Sequence, residues 1–451
     1  MPNLIAHLEK ADCMKIRILW ALLIIITATN GQAQKAMSGD NNLHTIIDQK
    51  AAAINDQVVQ WRRHFHEFPE LSNREFKTAD AISKYLMEMG YQVDRGFAKT
   101  GVVALLDTGK PGPTIGLRAD IDGLPVTERT PIPFASKETS TYLGQKVGVM
   151  HACGHDTHIS MLLGAASILK DMKNQLNGKI VFVFQPAEEG APAGEEGGAA
   201  LMVKEGLIEK YGIDVFFGQH IWSGVNVGTI QYKPGGELAS SDEFFIKVKG
   251  KQTHGSQPWA GIDPIAVSAQ IIMGLQTIIS RQTELTKEAA VISVGRIHAG
   301  VRNNIIPEEA DFSGTIRCLD TGMQRKIHEK IKQTAILIAE SAGATAEVEI
   351  SIGYPITYNN PELTREVVPS LEAACGNLQV MDATTGAEDF SFFANKVPSV
   401  FWFTGGKPLD TPVGYAAPHH TPDFFIDEDG MITGVKSLCM VAADYLTAHG
   451  K

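Results

Sequence analysis

The hydrophobic pattern near the start of the chain is that of amphipathic helices. Apolar residues recur at helical spacing over residues 44–68 and 74–89, and Gly90 follows the second stretch as a helix-ending residue would. Buried strands are then predicted for the apolar runs GVVALLD, TIGLRAD, KIVFVFQ and DVFFGQH, with a helix from about His158 to Met172. This alternation predicts an α/β fold with a mainly parallel sheet that is covered on both faces.

The pattern changes near residue 237. A half-exposed strand, DEFFIKVKG, is followed by a helix from Pro264, two more strands, a helix with one apolar stripe and a last strand, ATAEVEISI. This succession of strand, helix, strand, strand, helix and strand is the ferredoxin-like order. We therefore predict an inserted ferredoxin-like α+β domain over residues 237–353, between two parts of the main domain at 34–236 and 354–451.

The N-terminal region has the layout of an export signal. Lys15 and Arg17 precede an apolar run over residues 18–28, which is too short to span a bilayer but suits a signal-peptide core. We predict a signal peptide over residues 1–33, with Met14 as an alternative start. The protein is then expected to be periplasmic or secreted.

Composition narrows the choice of partners. The chain has 451 residues, 44% of them hydrophobic, and a formal net charge of −11 without a long basic run. This argues against a nucleic-acid partner, because phosphate binding requires clustered Lys and Arg. Five cysteines, one of them in the predicted signal peptide, are too few and too scattered for a disulfide scaffold.

One short stretch, MHACGHDTH, concentrates chemistry in a predicted loop. Cys153 and His155 are two residues apart, so both side chains can point to one side of an extended segment. A thiolate and an imidazole suit a borderline-soft divalent ion, although two ligands alone do not hold one. The alternative is a cysteine nucleophile at Cys153 with His155 or His158 as its base.

Other candidate ligands follow separate predicted strands. Glu188 and Glu189 come directly after KIVFVFQ, and His220 ends DVFFGQH. His419 and His420 lie near the C-terminus. Because chemistry collects at the carboxyl ends of parallel strands, these side chains are expected at one edge of the sheet, where they could form a two-metal site.

Together these residues resemble a known family. The motifs GLRADIDGLP, MHACGHDTH, QPAEEG, GTIR and HHTPDF occur in the order found in the aminoacylase/carboxypeptidase family of dinuclear metallo-amidohydrolases. The similar branch is that of the hippurate hydrolases and indole-acetyl-amino-acid hydrolases. The resemblance implies a zinc-peptidase-like catalytic domain with an inserted lid or dimerisation domain.

The resemblance also implies roles for individual residues. Glu188 would be the general base. His420 is preferred over His419, because it directly precedes the TP of the motif. The implied metal ligands are Cys153, His155, Glu189, His220 and His420, and the implied substrate-binding residues of the lid are His254, Asn304 and Arg317.

The expected activity is metal-dependent hydrolysis of the amide bond of N-acyl amino acids. Two divalent ions would be bound per subunit, most simply Mn or Zn, with Co or Ni as alternatives. A dipeptidase or carboxypeptidase requires the same residues and stays open, as do a cysteine hydrolase and a non-catalytic binding protein. A homodimer through the inserted domain is a further expectation. Trp259 departs from related sequences, which often have histidine there, and this position is expected to shape the substrate pocket.

Several polar neighbours are expected to have supporting roles. Asp120 and Asp122 occupy positions where other branches of the superfamily carry a ligating His-x-Asp pair, and are interpreted here as structural. Asp156 is expected to orient His155. His158 is interpreted as a supporting or surface residue, and His64 and His66 as ordinary polar residues at a helix end.

Overall fold

The computed structural model describes residues 41–412 and 414–450. The predicted signal peptide lies outside these residues and stays a prediction. In the described part of the chain, no helix has the length and apolar character needed to cross a membrane.

The first half of the described chain supplies most of the central sheet. Its helices and strands are α1 Asn41–Glu67, α2 Phe76–Glu88, β1 Val93–Phe97, β2 Gly101–Asp107, β3 Thr114–Asp120, β4 Thr139–Tyr142, β5 Gln145–Gly148, α3 His155–Asp171, β6 Lys179–Gln185, α4 Gly198–Lys204, α5 Leu207–Tyr211, β7 Val215–Asn226, β8 Thr229–Tyr232 and β9 Gly235–Leu238.

The second half forms a separate sheet and then returns to the first. Its helices and strands are β10 Ser241–Lys249, β11 Thr253–His254, α6 Pro264–Thr277, β12 Ala290–Ala299, β13 Ile305–Ile306, β14 Glu309–Cys318, α7 Thr321–Ser341, β15 Thr345–Tyr354, β16 Thr357–Asn359, α8 Pro361–Ala374, β17 Asn377–Val380, α9 Ser391–Ala394, β18 Ser399–Lys407 and α10 Met431–His449.

The central sheet has eight strands in the order β1-β2-β6-β3-β7-β18-β8-β17. Its middle, β6-β3-β7-β18, is parallel throughout, whereas β1, β2 and β8 join it in antiparallel fashion. The predicted fold class, α/β with a mainly parallel sheet, is therefore confirmed. Strand β18 is buried along its whole length and was not assigned from the sequence.

Both faces of this sheet are covered, as expected for buried parallel strands. On one face, α1, α2, α3, α8 and α10 pack around residues such as Leu162, Trp402 and Leu438. On the other face, α4, α5 and α9 cover a phenylalanine-rich core that includes Phe216 and Phe393.

Two element boundaries differ from the prediction, and both matter for the site. Helix α3 begins at His155 rather than His158, because its first turn consists of buried polar side chains that hydrophobic periodicity cannot detect. Its N-cap, Gly154, has φ 95°, and a Cβ there would lie 2.3 Å from Ile221 Cγ2. Strand β7 does not end at His220 but continues to Asn226, which pairs with Lys407 of β18.

The second sheet is antiparallel, in the order β12-β14-β10-β15, and α6 and α7 pack against it. This is the ferredoxin-like order. It has a core of its own that includes Ile246, Ile271, Phe312 and Ile331. The domain boundaries and the role of this unit as a lid or dimerisation domain stay predictions.

Candidate metal centre

The six predicted ligand and base residues meet at the carboxyl edge of the central sheet. They are brought there by the start of α3, the turn after β6, strand β7 and the loop before α10. Cys153 Sγ lies 3.3 Å from His220 Nε2 and 3.2 Å from His420 Nε2. His420 Nε2 is 3.1 Å from Glu189 Oε1. A thiol, imidazoles and a carboxylate thus converge from four segments that are distant in sequence.

The ring of His155 faces the glutamates. Its Nε2 lies 3.8 Å from Glu188 Oε2 and 3.9 Å from Glu189 Oε1. Its Nδ1 donates to the Asp122 carbonyl oxygen at 2.8 Å, which leaves Nε2 as the atom with a free lone pair. Nε2 is buried and has no hydrogen-bond partner among the described residues. A buried acceptor beside carboxylates and a thiol fits a metal ligand.

Two other histidines have their rings fixed by hydrogen bonds. His220 Nδ1 donates to the Ile221 carbonyl oxygen at 2.5 Å, so its Nε2 can serve as a ligand atom towards Cys153. His158 Nδ1 donates to Asp120 at 2.5 Å, and its Nε2 accepts from the Ile221 amide at 2.8 Å. Both nitrogens of His158 are used, which agrees with a supporting role.

The geometry favours His420 over His419 as a ligand. The Ser223 amide donates to His419 Nε2 at 3.1 Å, and His419 Nδ1 donates to the Cys153 carbonyl oxygen at 3.2 Å. Neither nitrogen of His419 is left for a metal. His420 has a φ of 63°, a backbone conformation that is uncommon outside glycine and is typical of strained functional positions.

The charges at the centre are unbalanced in a way that a cation would relieve. Burial raises the pKa of the Glu188 carboxyl and the Cys153 thiol well above their ordinary values, and it lowers the pKa of His220. Burial opposes protonation of His155, but the Asp120 and Asp122 carboxylates outweigh it and raise that pKa to about 10. A divalent cation would favour the thiolate, the carboxylates and the neutral imidazoles together.

The same environment argues against Cys153 as a nucleophile. A reactive cysteine requires a lowered pKa, usually from an adjacent cation or a helix N-terminus. Cys153 is buried, and the carboxylates of Glu189 and Glu188 raise the pKa of its thiol further. A metal ion would supply the positive charge that favours the thiolate, and the imidazoles of His220 and His420, 3.3 and 3.2 Å from Sγ, place further ligand atoms around it, which fits a metal ligand better than an attacking group.

The turn that carries both glutamates is held by Asp122. Its Oδ1 accepts from the Glu188 amide at 3.0 Å and its Oδ2 from the Glu189 amide at 3.1 Å. Ser72 also donates to Oδ2 at 2.7 Å. Asp122 and Glu188 are buried and Glu189 and Ser72 are partly buried, so these bonds fix the direction in which the two glutamate side chains leave the turn.

A buried arginine behind the centre was missed by the sequence analysis. Arg118 of β3 has no exposed side-chain surface and donates to Asp120 at 2.8 Å and to Gln185 at 2.8 Å. Its remaining amino group donates to Glu388 at 2.8 Å and Asp389 at 2.9 Å. An arginine within the predicted buried strand TIGLRAD was the available signal, since a buried guanidinium requires several acceptors.

The interpretation of His66 as an ordinary polar residue is wrong. Its ring is buried, with Nδ1 2.9 Å from Asp156 and Nε2 3.1 Å from Glu128. Arg62 also donates to Asp156, at 2.8 Å. Asp156 therefore joins α3 to α1 and does not orient the His155 ring, whose Nδ1 is bound by Asp122 instead.

The three predicted lid residues lie on the second sheet and its connections. His254 and Asn304 are exposed, and the His254 ring is hydrogen bonded to Ser256 at 2.8 Å. Arg317 of β14 is partly exposed and forms no ion pair with a carboxylate in the described part of the chain. No hydrogen bond or ion pair among the described residues joins these side chains to the ligand cluster, and their roles stay predictions.

A buried thiol, imidazoles and carboxylates at the edge of a parallel sheet are typical of metallohydrolases. The chain belongs to peptidase family M20/M25/M40, whose model matches residues 116–444. This confirms the resemblance found in the motifs.

Relatives and solved structures agree with the family. The chain is 39% identical to thermostable carboxypeptidase 1 of Saccharolobus solfataricus, over 87% of this chain and 96% of that protein. It is 38% identical to an N-acyl-L-amino acid amidohydrolase of Geobacillus stearothermophilus, over 68% and 80% of the two chains. The crystal structure of the Bacillus subtilis YXEP protein, described as a dinuclear metal binding peptidase, is similar with a TM-score of 0.73. It is 33% identical and covers 88% of this chain and 99% of its own.

Replacement of the thiol should weaken metal binding. We expect Cys153→Ser to lower metal affinity at least about tenfold, since even a group that only supports a ligand contributes that much. Elemental analysis after reconstitution and dialysis measures the effect, with Cys375→Ser, at a partly exposed position outside the cluster, as the matched control. A variant that retains all its metal but loses activity would restore the nucleophile interpretation.

A buried carboxyl behind the turn predicts a dependence of stability on pH. Glu75 accepts from the Ala187 amide at 2.9 Å and the Thr100 hydroxyl at 2.7 Å. Burial, together with the Asp122 carboxylate, raises the pKa of Glu75 from 4.5 to about 8. Between about pH 4.5 and about pH 8, the folded chain holds a proton on Glu75 that the unfolded chain releases. The free energy of unfolding therefore falls as the pH rises through this window.

Glu75→Gln should remove this dependence, because the amide can accept from Ala187 and donate to Thr100. We expect the thermal unfolding midpoint of the variant to exceed that of the wild type by an amount that grows between about pH 5 and about pH 8. Glu209→Gln, on an exposed part of α5, is the control. A difference that is the same at both pH values would contradict this assignment.

Proposed function

We propose that the protein hydrolyses the amide bond of N-acyl amino acids with two bound divalent metal ions. The observation that carries the proposal is the convergence of five candidate ligands, four buried or partly buried and His420 exposed, with the Glu188 carboxyl beside them and not needed to complete the set. The ligands are Cys153, His155, Glu189, His220 and His420.

The donor set supports a borderline-soft ion. It combines one thiolate, three imidazoles and one carboxylate, which suits Zn or Mn and also admits Co or Ni. When bound, such ions polarise a carbonyl and lower the pKa of water. Two subsets in the cluster have ligand atoms close enough for separate ions, Cys153 with His155 and His220, and Cys153 with Glu189 and His420.

Glu188 is the proposed general base. Its carboxylate faces the cluster, 3.8 Å from His155 Nε2, and is held by the Asp122 bond to its amide. Burial raises its pKa, so it has the proton affinity to take a proton from attacking water and pass it to the departing nitrogen.

The substrate carboxylate requires a cation outside the cluster. Arg317 is suited to it, because its guanidinium fork matches two carboxylate oxygens and has no carboxylate partner within the described residues. Asn304 and His254 are proposed to assist. This arrangement requires the second sheet to approach the centre when substrate is bound.

A second candidate activity is carboxypeptidase or dipeptidase cleavage. The similarity to the Saccharolobus carboxypeptidase favours it, and both reactions break an amide next to a residue with a free carboxylate. The residues at the centre serve either reaction equally. The acyl side of the substrate decides between them.

A substrate panel on metal-reconstituted protein tests the proposal. N-acetyl, N-benzoyl and indole-acetyl amino acids are compared with dipeptides and longer peptides. We expect turnover of acyl amino acids, loss of activity with a chelator, and a fall of kcat by about 100-fold or more in Glu188→Gln. The variant should retain its metal.

Glu196→Gln, on an exposed part of the loop that follows, is the control for this variant. Near-normal kcat in Glu188→Gln would contradict the role of the base. Cleavage of peptides without acyl amino acids would favour the second candidate.

We further propose that the protein is exported and forms a homodimer through the second sheet. Export is supported by the basic segment and the apolar run at residues 18–28. N-terminal sequencing of the protein recovered outside the cytoplasm should give a start after residue 33, whereas a retained N-terminus would contradict export. Light scattering on the purified protein tests the dimer.

A further inference from the structure

One hydrogen bond connects the second sheet directly to the turn that carries the base. The Tyr354 hydroxyl donates to the carbonyl oxygen of Glu188 at 2.6 Å. Tyr354 is the last residue of β15, whereas Glu188 follows β6 of the central sheet. Among the described residues, no other hydrogen bond to this carbonyl oxygen is present.

The position of Tyr354 is fixed where the chain crosses between the two sheets. It pairs with Ser241, the first residue of β10, so both crossings of the chain lie side by side. A Cβ at Gly353 would lie 2.0 Å from the Ser241 carbonyl oxygen, and the Gly353 amide donates to Asp242 at 3.4 Å. The Tyr354 ring packs edge-on against Phe392 at 6.0 Å. The position of the Tyr354 hydroxyl is therefore set by the position of the end of β15.

The turn itself is held from two directions. Asp122 binds the amides of Glu188 and Glu189, and Tyr354 binds the carbonyl group between them. Ala187, directly before this unit, has a φ of 52°, which is unfavourable for a residue with a side chain. A strained turn keeps its conformation only when its surroundings determine it, so removal of one of its supports should shift the Glu188 side chain.

We propose that Tyr354 is a positioning residue for the general base and that it transmits the position of the second sheet to Glu188. The inference rests on the proposed function, because it concerns the base of that reaction. Tyr354 acts through the backbone of the turn and is not required to touch the substrate. The link makes the orientation of Glu188 depend on how β15 meets β10.

Tyr354→Phe removes one hydroxyl and keeps the ring that packs on Phe392. We expect kcat to fall roughly tenfold, as for loss of a buried hydrogen bond, with KM changed less than about twofold. Metal content and the thermal unfolding midpoint should stay near those of the wild type. Tyr358→Phe, at a residue that is 46% exposed on β16, is the matched control. Loss of metal or of the fold in Tyr354→Phe would overturn the inference in favour of a structural role.

A double-mutant cycle tests the transmission itself. Gly353→Ala should displace the end of β15 and lower kcat in the wild-type background. In the Tyr354→Phe background the same change should have a clearly smaller effect, because the link to Glu188 is already cut. If the reductions of kcat by the two substitutions simply multiply in the double variant, the proposal that Tyr354 transmits the position of the second sheet is overturned. Absence of wild-type turnover on every substrate would contradict the proposed function alone, whereas equal kcat in wild type and Tyr354→Phe would overturn this inference alone.

Discussion

The carboxylate of Asp122 is the constraint on which the centre depends. The two carboxylate oxygens accept from the consecutive amides of Glu188 and Glu189. The backbone carbonyl oxygen of Asp122 accepts from His155 Nδ1. One residue thus fixes both the tautomer of a ligand and the direction of two carboxylates that approach it. Such bonds are strong, because a charged acceptor in a buried site gains more from each donor. Asp122 is therefore proposed to support the ligands and not to bind a metal itself.

The centre concentrates negatively charged carboxylates in a buried region of the protein. Asp120, Asp122, Glu188, Glu388 and Asp389 are all buried, and Arg118 is the buried arginine that binds three of them. Separated buried charges are costly unless they are paired or bind metal. The Arg118 guanidinium offsets the negative charge of Asp120, Glu388 and Asp389. Bound divalent cations would offset the charge of the carboxylates that face the ligand cluster. Three of the five buried carboxylates are therefore paired with Arg118, whereas Asp122 supports the turn of the proposed base, Glu188.

The residues of the centre that could be predicted from the sequence are those that lie next to recognisable strands and helices. Four of the site residues lie beside predicted buried strands and helices, and the predicted parallel sheet places them at one edge. These residues are Cys153, His155, Glu188 and Glu189. Arg118, Glu388 and Asp389 were missed because their pairing joins segments about 270 residues apart, which periodicity cannot reveal. Likewise, the first turn of α3 is polar yet buried, so its start at His155 and the network of His66 with Asp156 were hidden.

In the proposed mechanism, both sheets contribute residues to the site. The proposed ligands and base are supplied by the central sheet and its connections, whereas Arg317, proposed for the substrate carboxylate and without an ion pair among the described residues, belongs to β14 of the second sheet. In the proposed mechanism, neither sheet alone supplies all the residues that bind an acyl amino acid. The two crossings between the sheets lie at Ser241 and Tyr354, and the Tyr354 hydroxyl binds the Glu188 carbonyl oxygen. The segment that joins the sheets therefore also holds the turn of the proposed base. The proposed approach of Arg317 to the centre would therefore also act on the turn of Glu188.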